Sequence, residues 1–194
     1  MSGLREKKKQ QTRERIATAA VKLLASVGEA NATVAKIAER AEISPRTFHN
    51  YFPRREEAFC FFFENLVRRW IMEITNAPAE EQPIDLLKRL ALTHASLPDD
   101  DPYSAKSIIR LIDYMSGSVE QDLIEPGRRL FQQLGDALFE RTNGELGYVD
   151  AHVLATFAFF SGGIALQMNK IAPYQEVLQS IFTIFDQGVW REKE

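Results

Sequence analysis

Residues 44–59, with the sequence SPRTFHNYFPRREEAF, concentrate side chains that could bind a polyanion. The three arginines of this segment can neutralise phosphates, and its hydroxyl and amide groups can donate hydrogen bonds to phosphate oxygens or to base edges. The same residues could equally form an ordinary amphipathic joint between helices. The surrounding sequence must therefore decide between the two interpretations.

The charge of the chain is distributed unevenly around this segment. Residues 1–60 carry a net charge of +5, whereas residues 61–194 carry −8, so the overall value of −3 conceals a basic N-terminal region. Such asymmetry suggests a polyanionic partner for the basic region alone, with nucleic acid as the first candidate. Lysines 7–9 precede the first predicted helix and could be either a solvated tail or a clamp.

The apolar pattern predicts an all-α protein. Apolar residues recur at spacings of three and four throughout, and strict alternation is missing. A long first helix is expected to end at Gly28. Thr33 can cap a short second helix, and Ser44 can cap a third with Pro45 at its first position. Two short helices joined by a tight turn near Glu42 form a helix-turn-helix over about 32–51.

About six further helices are predicted after the helix-turn-helix. The apolar stripes place them at about 54–74, 84–96, 104–115, 119–142, 148–170 and 174–190. We expect two domains, a DNA-binding domain over 9–69 and a helical domain for ligand binding and dimerisation over 70–194.

Nine residues of the N-terminal region are candidates for DNA contact if the third helix enters the major groove. Candidates for phosphate oxygens are Thr33, Thr47, Tyr51 and Arg55. Candidates for base edges are Pro45, Arg46 and Asn50. Lys36 adds charge, and His49 is either a groove residue or a plain surface histidine. Phe48 and Phe52 are expected in the core.

The N-terminal region also resembles a known family. Residues 12–28 read T-R-x-x-I-x-x-A-A-x-x-L-L-x-x-x-G, residues 32–48 read A-T-V-x-x-I-A-x-x-A-x-I-S-x-x-T-F, and residues 49–59 read H-N-Y-F-P-x-R-E-E-A-F. This pattern is similar to the tetracycline repressor (TetR) family. The resemblance implies an all-helical homodimeric repressor that binds a palindromic operator in double-stranded DNA and is released by a small-molecule inducer. Glu42, His49 and Arg55 depart from the usual glycine, tyrosine and lysine.

The C-terminal region offers candidates for a ligand pocket and for a dimer interface. An apolar pocket could be lined by Phe62, Leu66, Trp70, Leu87, Phe131 and Leu134, with polar groups from His94, Arg110, Asp113 and Tyr114. The alternative is that the first set is core and the second a solvated helix face. The richness in phenylalanine favours an apolar, aromatic or acyl ligand. The last two helices are expected to form the dimer through Phe157, Phe160, Gly162, Ile164, Ile181 and Phe185.

Other function classes lack positive signs in the sequence. The motifs G-x-S-x-G, G-x-x-x-x-G-K-[ST], G-x-G-x-x-G and H-E-x-x-H do not occur, so no enzyme, cofactor or metal site is predicted. A single cysteine, Cys60, in an apolar setting fits a reducing, cytoplasmic compartment. The most apolar stretch, residues 151–168, is marginal in length for a membrane span, so no membrane association is expected. A regulator without an inducer, a helical enzyme and a protein-interaction module are the alternatives.

Overall fold

The computed structural model describes residues 2–168 and 170–189, and every regular element in those residues is helical. The α-helices are α1 (Ser2–Val27), α2 (Val34–Arg40), α3 (Pro45–Tyr51), α4 (Arg55–Asn76), α5 (Pro83–Ala95), α6 (Ala105–Ser118), α7 (Gln121–Arg141), α8 (Tyr148–Gln167) and α9 (Tyr174–Val189). The predicted all-α class is confirmed. Residues 169 and 190, which the predicted last two helices included, lie outside the described residues.

The two short helices begin where their capping residues predict. The Thr33 side chain accepts a hydrogen bond from the backbone N–H of Lys36 at 3.4 Å, at the start of α2. The Ser44 hydroxyl accepts one from the backbone N–H of Thr47 at 3.0 Å, and Pro45 occupies the first turn of α3. Each cap satisfies a backbone donor that a helix start leaves free, so these starts are encoded locally.

The turn between α2 and α3 is a left-handed helix cap. Glu42 has φ +55°, its N–H donates to the Glu39 carbonyl at 3.0 Å, and the Ile43 N–H donates to the Ala38 carbonyl at 2.9 Å. These two bonds form a Schellman motif, whose left-handed position usually carries glycine. Glu42 therefore holds a strained backbone conformation at this position.

Helix α1 starts earlier than the sequence analysis expected. Lysines 7–9 were placed before the first helix, but α1 includes them because it begins at Ser2. Residues 5–11 are Arg, Glu, Lys and Gln, all strong helix formers, and the Gln10 side chain hydrogen-bonds Glu14 one turn later at 3.1 Å. The placement of lysines 7–9 before the first helix was wrong for this reason.

The helices are distributed over two compact units. The head unit comprises the chain up to Leu66 together with Asp99–Tyr103 and Ser107–Arg128. The body unit comprises Val67–Pro98, Ser104–Lys106 and the chain from Arg129 onward. The expected domain boundary after residue 69 stays a prediction.

Each unit has its own buried interior. In the head unit, Ile16, Ile37, Phe48 and Phe52 are fully buried, so α1, α2 and α3 share one core. In the body unit, α5 packs against α8 and α9. The body core contains the fully buried residues Leu86, Leu87, Leu134, Leu138 and Leu178.

Helix α8 is apolar on more than one side. Within the described residues it is the one helix whose length and composition would suffice to cross a membrane. Its small residues Ala151, Ala155 and Ala158 are buried in the body unit, as in a core helix. Its large apolar residues Val149 and Val153 are 70% and 55% exposed. An element that is hydrophobic all round requires a second packing partner.

Candidate nucleic-acid interface

Helix α3 presents a polar face to solvent. Pro45, Arg46, His49 and Asn50 are exposed, while Phe48 is fully buried on the opposite side of the helix. Phe52, directly after α3, is also fully buried, which confirms that these two aromatic residues belong to the core. The phenylalanines therefore fix a helix whose outer face is free to contact a partner.

The two candidate threonines have structural roles at the same time. Thr33 is exposed and caps α2, and its neighbour Lys36 is exposed one turn into that helix. Thr47 is half-buried, and its hydroxyl lies 2.8 Å from that of Ser44 at the start of α3. Both hydroxyls lie at helix N-termini, where the backbone already favours anions.

His49 is held in one orientation by contacts with Pro53 and Phe48. Its Nδ1 lies 3.2 Å from the Pro53 carbonyl, and its ring meets Phe48 edge-on with centroids 5.6 Å apart. A carbonyl oxygen can only accept, so Nδ1 is the donor in this contact. The imidazole is exposed, which keeps both of its sequence-based interpretations open.

Arg55 is engaged within the head unit. Its Nη1 donates to the Glu29 and Ala32 carbonyls at 3.0 and 3.3 Å, and its Nη2 donates to the Tyr114 hydroxyl at 3.1 Å. Its Nε donates to Glu56 Oε1 at 3.0 Å. Sequence reasoning assigned this arginine to a phosphate, whereas the structure gives its guanidinium a full set of internal partners.

The Arg55 cluster is completed by Tyr114 and Glu56. The Tyr114 hydroxyl donates to Glu56 Oε1 at 3.0 Å. Burial, reinforced by this carboxylate, raises the pKa of Tyr114 to about 12. Burial opposes the charge of Glu56, but hydrogen bonds from its own backbone, Tyr114 and Arg55 outweigh it and lower its pKa. The cluster ties residues after α1, the start of α4 and α6 together within the head unit.

Arg54 is also paired inside the head unit. Its Nη1 donates to Glu120 at 2.9 Å, and Asp122 lies 4.0 Å away. The hydrogen bond to Glu120 raises the pKa of Arg54. Of the arginines in the opening segment, Arg46 is the one on the outer face of α3.

A basic groove beside α3 was missed by the sequence analysis. It has a volume of about 910 Å³. Its lining comprises Arg5, Glu6, Lys8, Lys9 and Thr12 of α1 with Thr47, Asn50 and Tyr51 of α3. The helical spacing of Arg5, Lys8, Lys9 and Thr12 was the available signal, and it was overlooked because the lysines were placed before the first helix.

The candidate ligand residues are divided between the two units. Phe62, Leu66, Arg110, Asp113 and Tyr114 belong to the head unit, and Trp70, Leu87, His94, Phe131 and Leu134 belong to the body unit. In the head unit, the Arg110 guanidinium donates to the Ala25 carbonyl, and Asp113 is exposed. In the body unit, Trp70 stacks on His94 and donates to its Nε2 at 3.0 Å. Their role in binding stays a prediction.

The candidate dimer residues all lie on α8 and α9. Phe157 stacks on Phe185 with centroids 4.0 Å apart, and Ile164 is 38% exposed. A Cβ added to Gly162 would lie 2.8 Å from the Tyr174 hydroxyl. The close approach that Gly162 permits is therefore made by α9 of the same chain, whereas the sequence analysis expected it to serve a partner. Phe160 stacks on Phe131, and Ile181 is half-buried.

The comparison with known proteins agrees with this geometry. Residues 16–59 match the family model of bacterial regulatory proteins of the tetR family. An 85-residue stretch is 31% identical to the HTH-type transcriptional regulator TcmR of Streptomyces glaucescens. It covers 44% of this chain and 38% of TcmR, so the match spans well under half of that relative.

Solved structures share the fold over nearly the whole chain. A putative TetR-family transcriptional regulator from Rhodococcus sp. is 17% identical, with a TM-score of 0.69 and coverage of 93% of this chain and 99% of that one. The transcriptional regulator FadR from Bacillus subtilis, solved in complex with stearoyl-CoA, is 17% identical, with a TM-score of 0.64 and coverage of 90% and 98%. Residues 16–59 therefore carry a tetR-family domain, and the chain shares the fold of these solved regulators.

Proposed function

We propose that the protein is a DNA-binding transcriptional regulator whose helix α3 enters the major groove. The observation that carries this proposal is the outward face of α3, where Arg46 and Asn50 are exposed above the buried Phe48. An arginine can donate two hydrogen bonds to guanine, and an asparagine can pair with adenine. The net charge of +5 over residues 1–60 supplies affinity for phosphates.

The regulator acts as a homodimer in this proposal. Val149, Val153 and Ile164 form an exposed apolar stripe along α8 that Met168 continues directly after the helix, and Ile184 of α9 is 69% exposed. Stripes of this kind on a soluble protein mark interaction sites. A two-fold dimer carries two heads, so the operator should be a palindrome with half-sites about one helical turn, or a multiple of it, apart.

A small apolar ligand is proposed to release the repressor from DNA. In the body unit, Trp70, Phe131, Phe159 and Phe160 form a connected aromatic cluster with centroid distances of 5.1 to 5.4 Å. The acyl-CoA complex of FadR from Bacillus subtilis supports an acyl compound as the first class to test. Release requires that the ligand bind the DNA-free conformation more tightly than the DNA-competent one.

Selection of duplexes from a random pool tests the proposal without assuming an operator. We expect enrichment of a palindromic sequence whose affinity falls steeply with salt. Addition of a long-chain acyl-CoA should lower that affinity, and a short acidic metabolite of equal charge should not. Failure to enrich any sequence, with no salt-dependent duplex binding, would overturn the DNA-binding function. Enrichment without an acyl-CoA effect would overturn the ligand class alone.

A further inference from the structure

The groove between α1 and α3 has the composition of a phosphate-binding channel. Arg5, Lys8 and Lys9 supply three cations from one wall, and Thr47 and Tyr51 supply hydroxyls from the other. The Thr12 hydroxyl is already donated to the Lys8 carbonyl at 3.0 Å, so this side chain adds shape rather than a donor. Glu6 is the one acidic residue among the lining side chains, which leaves a net positive groove.

Helical geometry explains how α1 forms its wall. Arg5, Lys8, Lys9 and Thr12 lie three or four residues apart, so they share one face of α1. Lys7 lies about 160° around the helix from Arg5 and Lys9 and about 100° from Lys8. The cations therefore divide into a set that lines the groove and one lysine that faces away.

The wall of the groove that α1 forms packs against the core beside α3. The Arg13 guanidinium lies 5.1 Å from the centroid of the Phe52 ring and 4.4 Å from that of Phe61. Phe52 directly follows α3 and is fully buried. This cation–π packing places α1, at the residue directly after Thr12, against the residue that follows α3.

We propose that a sugar-phosphate strand of duplex DNA lies in this groove, next to the major groove that α3 occupies. The proposal rests on the proposed function, and it adds Arg5, Lys8 and Lys9 as backbone contacts. The first two turns of α1 bring four cations to the positive end of a helix dipole, an unfavourable arrangement that phosphates would relieve. Backbone contacts of this kind position the reading helix but do not read sequence.

The salt dependence of binding to a selected duplex tests the proposal. The double variant Lys8→Gln/Lys9→Gln should make the slope of log K against log salt concentration shallower by about 0.9 per lysine and per bound head. Between 50 and 200 mM salt, each lost contact thus changes the affinity ratio about 3.5-fold. Lysine and glutamine have similar helix propensity, so circular dichroism should be unchanged.

Lys7→Gln is the matched control, because it removes the same charge from the same helix on the far face. We expect it to change the slope by less than half as much as Lys8→Gln alone. Equal effects of Lys7→Gln and Lys8→Gln would overturn the groove assignment while leaving the DNA-binding function intact. Absence of salt-dependent binding in the unaltered protein would instead reject the function itself.

The flanking sequence distinguishes a backbone contact from minor-groove insertion. A backbone contact predicts the same loss for Lys8→Gln/Lys9→Gln on duplexes with A·T-rich and G·C-rich flanks. A loss confined to A·T-rich flanks would indicate side chains inserted into a narrow minor groove and would overturn the proposal. Arg5→Gln provides an independent variant should the double variant lose helical structure.

Discussion

The exposed faces of α3 and α8 differ in chemistry although each helix is anchored by an apolar inner face. On α3 the inner residue is Phe48 and the outer residues include Arg46 and Asn50. On α8 the inner residues include Leu154 and Ala155, and the outer ones include Val149 and Val153. The polar outer face suits an aqueous, charged partner, and the apolar outer face suits another protein surface.

This difference in chemistry gives the two exposed faces different free-energy costs in the free protein. Exposure of the outer face of α3 costs no free energy in the free protein because water solvates its polar side chains. The outer face of α8 exposes large apolar side chains, each of which gains on the order of 1.5 kcal/mol or more when buried. The free monomer is therefore expected to be the less stable form, and loss of the α8 partner should have the larger effect.

The largest expected effect comes from a charge in the α8 stripe. Val153→Asp should weaken the proposed dimer by at least about 3 kcal/mol, or 100-fold and more in Kd, because the carboxylate would be buried without a partner. Sedimentation equilibrium measures this loss. Gln179→Glu, which adds the same charge on α9 about 140° around the helix from Ile184, should leave the dimer intact. A monomer in the unaltered protein at micromolar concentration would refute the interface.

A smaller effect, on the free energy of unfolding, is expected from a substitution of Gly135 in the body unit. The His152 ring occupies the space where a Cβ on Gly135 would lie. The Nδ1 atom of the ring lies 2.9 Å from the Tyr148 carbonyl, a contact that keeps the ring from moving aside easily. Gly135→Ala should therefore lower the free energy of unfolding by about 2 kcal/mol in urea titrations.

The matched control for this change is Gly117→Ala in α6, where nothing lies within 4 Å of the added Cβ. There the substitution should be neutral or should stabilise by about 0.5 kcal/mol, since alanine favours the helix. If both alanine variants had the same stability, the close packing of His152 against Gly135 would be disproved.

On α3, removal of the central cation should change recognition rather than stability. Arg46 is exposed, so Arg46→Ala should leave the unfolding free energy within about 0.5 kcal/mol. If Arg46 contacts a guanine, the change should cost about 1 to 3 kcal/mol on the selected operator and little on random duplexes. Fluorescence anisotropy on both duplexes measures this difference, with Lys88→Ala in the body unit as the control. An equal loss on both duplexes would make Arg46 a phosphate contact.

The sequence predicted what is encoded locally and missed what depends on distant partners. Thr33, Ser44 and Pro45 set the starts of α2 and α3 through bonds to residues three positions away, so these helices were predicted correctly. The partners of Arg55 include Glu29 and Tyr114, which are 26 and 59 positions away. No local pattern indicates such contacts, so the sequence could not show them, and the assignment of Arg55 to a DNA phosphate stays a prediction.

The smallest expected effect concerns the turn that connects reading helix and scaffold. Glu42 has φ +55°, which costs a residue with a Cβ about 1 kcal/mol, whereas glycine avoids this cost. The greater freedom of glycine in the unfolded chain offsets part of this gain. Glu42→Gly should thus raise the unfolding free energy by a few tenths of a kcal/mol, measured by urea titration.

Glu42→Gln separates backbone strain from charge, because it keeps the Cβ and removes the carboxylate. Both variants should bind duplex DNA more tightly than the unaltered protein at low salt, and to the same extent, if Glu42 repels phosphates. The gain in stability should appear in Glu42→Gly alone. Equal stabilisation by both substitutions would show that the carboxylate, rather than the left-handed backbone, is the unfavourable feature of this turn.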